Sequence, residues 1–341
     1  MPVKEVDWNE RYEISEPLSE KDIDSLTANQ NLKTIQTDRP LTDPSWDMLN
    51  GMLFSIRPDV EMRVYGRSGC WDLGFISRMP NVRRFCANCI KEADGVDALY
   101  ALENLESLTI GIYNLDNFDF LTEIRPDSMR SLALERTRSK RRSLAPVARF
   151  RHLRELYLEG QTKHIGVISE LGQLEELTLR SITCDGLDFI AGLENLWSLD
   201  IKLGGTTNLS ALHEMHGIKY LELWQILGLR DISVISTMEG LQYLFLQSLA
   251  RVDRIPDLSR LHNLRRVLLE NMKSIHDYDP LLTAPNLEEF LYVGRKKLPE
   301  HIRRFRDELV GKTGKDGGPF EFREEGRNRR HVDTAPNGGD G

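Results

Sequence analysis

The chain has 341 residues, of which 40% are apolar and 29% charged, with a formal net charge of −8. This balance excludes a wholly disordered polymer. The acidic excess disfavours nucleic acid held through its phosphates, and favours a protein partner with a basic surface. No run of about 18 uninterrupted apolar residues occurs, so no membrane-spanning helix is expected. Met1 to Trp8 lack the basic segment and apolar run of a secretory leader, and a cytoplasmic location is expected. Cys70, Cys86, Cys89 and Cys184 are too few and too scattered for a disulfide framework, so reduced thiols are expected.

Residues 1–19 read as an N-terminal extension. From residue 20 a Leu-x-x-Leu-x-Leu pattern or a variant recurs. The copies are Leu32/Ile35, Met62/Val64, Val82/Phe85, Leu105/Leu108/Ile110, Met129/Leu132/Leu134, Leu153/Leu156/Leu158, Leu174/Leu177/Leu179, Leu196/Leu199/Ile201, Ile218/Leu221/Leu223, Leu241/Leu244/Leu246, Leu264/Val267/Leu269 and Leu287/Phe290/Tyr292. Between the first two, residues 40–57 read as a helical insertion that shields the first coils, with Leu49, Leu53 and Ile56 on one helical face. A second ladder at spacing three precedes many copies, as in Leu187, Ile190 and Leu193 before Leu196.

Period two puts alternate side chains on one strand face, while period three suits a 3₁₀-like return. One such coil cannot bury its leucines alone, so neighbours must stack into a solenoid. After the last copy, Pro299 opens an amphipathic capping helix, 296–311, with Ile302, Phe305 and Leu309 on one face. The glycine-rich, charged stretch 312–341 is expected to be a disordered tail.

The pattern over residues 20–295 resembles the short leucine-rich-repeat class of about 22 residues, as in internalins and the leucine-rich-repeat regulatory subunit of protein phosphatase. The resemblance implies an α/β solenoid of about twelve coils, with a parallel β-sheet on the concave side, a 3₁₀ or irregular convex side and helical caps. One departure is visible: where that class carries a turn asparagine, this chain has Tyr113, Ile182, Ile226, Leu249 and Met272.

No enzyme, cofactor or metal site is expected. Cys86-x-x-Cys89 lacks the second pair or histidines of a zinc site. Gly311-Lys312-Thr313 has Arg306 where a phosphate loop needs its first glycine. The eight histidines are scattered, away from any nucleophile motif. The candidate site is instead the set of concave positions between the motif leucines. Tyr220, Glu222, Trp224, Tyr243 and Phe245 form an aromatic patch, flanked by Glu155, Tyr157, Glu176 and Asp200. Glu155 over Glu176, and Asp200 over Glu222, place like charges on adjacent strands, which a basic partner would relieve.

The basic turn Arg136–Arg142 is a second candidate contact. These features point to a non-catalytic protein-binding module, monomeric when unbound. By resemblance to soluble acidic leucine-rich-repeat chains it is an inhibitor or immunity-type protein, the alternative being a regulatory scaffold subunit for an enzyme such as a phosphatase.

Overall fold

The computed structural model describes residues 2–66, 69–213 and 215–322. The chain opens on a hairpin of β1 (Val3–Asp7) and β2 (Arg11–Ile14), antiparallel to each other. At its turn Trp8 and Asn9 both take left-handed φ, and Glu10 N–H donates to Asp7 O at 2.8 Å. β2 then pairs in parallel with β3 (Thr34–Thr37). The stretch read as an extension therefore supplies the first two strands of the sheet. Between β2 and β3 lies helix α1 (Glu20–Ala28), started by a capping box in which Ser19 and Asp22 exchange hydrogen bonds, with Ile23 and Leu26 turned inward.

The insertion forms α2 (Asp43–Met48) and continues as one π-helical turn, Leu49–Phe54. Trp46, Leu49 and Leu53 are buried, but Ile56 is 64% exposed, contrary to the helical-face expectation. The wider π turn rotates the inward face, so Phe54 is buried and Ile56 falls in the turn beyond.

The remaining strands are β4 (Glu61–Tyr65), β5 (Cys70–Asp72), β6 (Arg84–Ile90), β7 (Glu92–Asp94), β8 (Ser107–Ile112), β9 (Ser131–Leu134), β10 (Glu155–Glu159), β11 (Glu176–Arg180), β12 (Ser198–Lys202), β13 (Tyr220–Trp224), β14 (Tyr243–Gln247), β15 (Arg266–Glu270) and β16 (Glu289–Val293). Among the described residues, fourteen strands make one sheet in chain order, with β5 and β7 set apart as a two-stranded ribbon. Each of the twelve motif copies supplies one strand of that sheet, and beyond β1 every pairing is parallel. Leu156, Leu177, Leu199, Leu221, Leu244, Val267 and Phe290 are register partners and all are buried, each contributing about 1.5–3 kcal/mol of burial. Short 3₁₀ turns such as Ala145–Arg149, Asp188–Ile190 and Ser233–Thr237 return the chain on the other side of that core.

A backbone device stands where the asparagine ladder would be. Gly160, Ser181, Leu203, Gln225, Ser248 and Asn271 each follow a strand directly, and each takes a left-handed φ. Each N–H donates to the carbonyl of the last residue of the next strand, from Gly160 to Arg180 through to Asn271 to Val293, at 2.6–2.9 Å. The turn thus carries its own hydrogen-bond ladder, and the next side chains, Ile182, Ile226, Leu249 and Met272, drop into the core. Tyr113 is the exception, exposed beneath Arg136.

At the far end α3 (Glu300–Thr313) packs Ile302 and Leu309 inward, with Phe305 half-buried against the core. It runs two residues past Gly311, so Gly311-Lys312-Thr313 is helical. Gly314, in a left-handed conformation, caps the helix with its N–H on Val310 O at 2.8 Å. Residues 314–322, expected to be disordered, are placed against the sheet. The rest of the expected tail, 323–341, lies outside the described residues.

Candidate functional site

The register aligns the solvent-side residues of the sheet in three rows that cross the strands. The row at the strand starts runs Glu155, Glu176, Ser198, Tyr220, Tyr243, Arg266 and Glu289. The middle row has Tyr157, Thr178, Asp200, Glu222 and Phe245, and the row at the strand ends has Glu159, Arg180, Lys202, Trp224 and Gln247. All nine residues singled out from sequence lie on this face, but they divide in two. Glu155, Tyr157, Glu176, Trp224, Tyr243 and Phe245 are half-buried, whereas Asp200, Tyr220 and Glu222 are buried.

Lys202 explains much of that division. Its Nζ lies 3.0 Å from Glu222 Oε2 and 3.9 Å from Asp200 Oδ1, so the acids stacked over one another share an internal cation. Tyr220 OH donates to Glu222 Oε2 at 2.9 Å, and Thr178 Oγ1 donates to Asp200 Oδ2 at 3.1 Å. Burial, then repulsion from Asp200, raises the Glu222 pKa, with Lys202 opposing. Relief by a partner's cation is therefore not needed at this pair.

Charge pairing continues along the row of strand ends. Arg180 lies 3.3 Å from Glu159 and stacks over the Trp224 ring at 5.6 Å, leaving that ring half-buried on a cationic base. Further toward the N-terminus, Arg63 donates to Gln36 and Asn88, and Asn88 Nδ2 donates to Glu135 Oε1 at 3.1 Å. Burial raises the Glu135 pKa, and the neighbouring Glu159 adds to that rise. Glu135 Oε2 comes down over Gly111, where a Cβ would lie 2.2 Å from it.

Residues after α3 cross the strand-start row as a strap. Lys315 ion-pairs with Glu288, Arg306 with Asp316 at 2.9 Å, and Gly317 N–H donates to Glu289. Gly317 and Gly318 take φ of 95° and 98°, which side chains rarely tolerate. Arg266 Nη1 donates to Gly318 O at 3.0 Å and Arg265 Nη1 to Glu321 O at 2.8 Å. Phe320 then lies 5.1 Å from the Tyr243 ring, and Phe322 lies edge-on to Trp197 at 5.0 Å. Phe322 also meets Tyr220 at 6.3 Å, which makes one aromatic cluster with Trp197 just ahead of β12.

Burying Phe322 and half-burying Phe320 contributes about 2–4 kcal/mol, and three hydrogen bonds add about 1 kcal/mol each. Fixing six backbone residues costs about 6–12 kcal/mol. Gain and cost of docking the strap are thus of similar size.

Trp197, Arg265, Arg266, Phe320 and Phe322 escaped the sequence reading. Trp197, Arg265 and Glu288 precede their strands and so fall outside the motif positions. The strap's signal was present as Gly317-Gly318-Pro319 followed by alternating aromatics, but glycine content masked it. The basic turn is tied down in part: Thr137 is buried, with its hydroxyl donating to Ser139 O at 2.9 Å, and Arg142 lies 3.9 Å from Asp116. Cys86 is buried within β6, where burial raises its thiol pKa, and Cys89 is exposed near the strand's end.

The chain has the leucine-rich-repeat fold, in a divergent form. An internalin from Listeria monocytogenes superimposes with a TM-score of 0.50 at 16% identity, covering 82% of this chain and 90% of that one. TLR13, in its complex with ssRNA13, gives 0.54 at 17% identity over 84% of this chain and 43% of its own. Mouse RP105, in its complex with MD-1, gives 0.54 at 16% identity over 79% and 49%. At these identities the likeness establishes the fold. No family model and no curated protein matches the chain.

Proposed function

We propose that this chain is a non-catalytic protein-binding module that takes its partner across β10 to β14, and that it acts as a cytosolic inhibitor or immunity-type protein toward a basic toxin or enzyme. The observation that carries the reading is that the face already seats a polypeptide, the strap with Phe320 and Phe322 in the aromatic cluster. Beside the strap, Trp224 and Phe245 stay half-buried on adjacent strands, large rings on a rigid base with little entropy left to lose. Glu155 and Glu176 extend the strand-start row beyond the strap, and the net charge of −8 steers a basic partner toward the chain. That mouse RP105 is seen in complex with MD-1 supports protein binding by this fold.

Partner kinetics test the proposal. Trp224→Ala and Phe245→Ala each remove a ring from the centre, so dissociation should speed by about 30-fold, the equivalent of about 2 kcal/mol. Glu155→Lys with Glu176→Lys should slow association, most strongly at low salt. Folded variants that leave both rates unchanged would move the site to the Arg136–Arg142 turn.

A further inference from the structure

We propose that the notch of Trp197, Tyr220 and Tyr243 is a receptor for an extended aromatic-x-aromatic segment of the partner, and that the strap Gly317–Phe322 is a resident competitor that this segment displaces. The inference deepens the protein-binding reading and rests on it.

The strap displays what the notch accepts. Its two rings, separated by one residue, enter from the same side of an extended chain and meet Tyr243, Tyr220 and Trp197 across adjacent coils. Arg265 and Arg266 hold main-chain carbonyls and also stack on Phe320 at 5.2 and 5.0 Å, so the grip on the backbone is independent of sequence. Selectivity falls to the rings.

The strap also fills the notch imperfectly. Trp197 Nε1 is buried beneath Phe322 with no hydrogen-bond partner among the described residues. A buried donor left unmatched is costly. A segment that brings both rings and a carbonyl or carboxylate to that nitrogen outcompetes the strap. Two glycines at left-handed φ form the hinge, while the Lys315–Glu288 and Arg306–Asp316 pairs tether its base. Once released, the strap remains close at an effective concentration on the order of millimolar, so weak segments are refused. Between partners it covers rings that would otherwise be an exposed apolar patch.

The test uses the full chain and a fluorescein-labelled Gly-Gly-Pro-Phe-Glu-Phe peptide, read by anisotropy. Phe320→Ala with Phe322→Ala empties the notch without touching it. This double variant should bind the peptide at least about tenfold tighter than the unchanged chain. Adding Tyr243→Ala, or Tyr243→Leu if the first does not fold, should abolish the gain, and a Gly-Gly-Pro-Ala-Glu-Ala peptide should not bind. Equal binding by the unchanged chain and the double variant, or none by the folded double variant, overturns the proposal. So does a concentration-dependent dimer that disappears in the double variant, because a second copy would then be the occupant. Peptide binding reads the notch alone, whereas partner kinetics at Trp224 and Phe245 read the wider surface, so either can fail without the other.

Discussion

Lys202 and Glu135 show how a side chain on this face is governed by its neighbours in the adjoining coils. The alternation of Leu199, Asp200, Ile201 and Lys202 made it legible that Asp200 and Lys202 face outward together. That Lys202 reaches across to Glu222 depends on its rotamer and on strand register, which a linear pattern does not carry. Glu135 makes the point with pH. Its folded pKa is raised, so the folded state prefers the proton, and stability falls as pH rises above about 4.5. Glu288 is the reverse: hydrogen bonds first from Arg265, then from Lys315, hold it down to about 2, and its contribution is present above 4.5 and lost as pH falls toward 2. Glu135→Gln should therefore reduce the decline in Tm between pH 5 and 7 while leaving the acid-side loss intact. A Tm profile parallel to that of the unchanged chain would mean that Glu135 is not perturbed in the folded protein.

At the scale of elements, the twelve coils were legible because each repeats two periods, and a leucine every second or third residue has few other uses. What escaped lies at the ends, where no repeat enforces a pattern. β1 has a half-exposed to exposed burial pattern with no apolar alternation, so nothing marked it as a strand. The π turn defeated a face drawn at 3.6 residues per turn. The strap was missed because glycine lowers mean hydropathy whether a segment is free or merely bent. Here bending is its use: Gly317→Val with Gly318→Val removes the left-handed positions. The strap should then leave the sheet, shifting tryptophan emission to the red as Trp197 meets water, with little change in Tm because gain and cost of docking are of similar size. Unchanged emission in that variant would show that the strap docks without its hinge.

For the molecule as a whole, a parallel sheet fixed by leucines, left-handed turn residues and internal ion pairs is a rigid platform, and rigid platforms suit partners that dock without reshaping them. The candidate surface was legible in sequence to the extent that register assigned residues to the concave face. Which of them a partner reaches was not, since burial there depends on contacts across coils such as Lys202 with Glu222 and Phe322 with Tyr220. The most direct measurement is hydroxyl-radical footprinting of the chain with and without its partner. The account predicts that Trp224, Phe245 and Tyr157 lose reactivity in the complex, and that Phe320 and Phe322 gain it as the strap is displaced. Protection confined to the Arg136–Arg142 turn or to the exposed Trp8, with the concave aromatics unchanged, would contradict it.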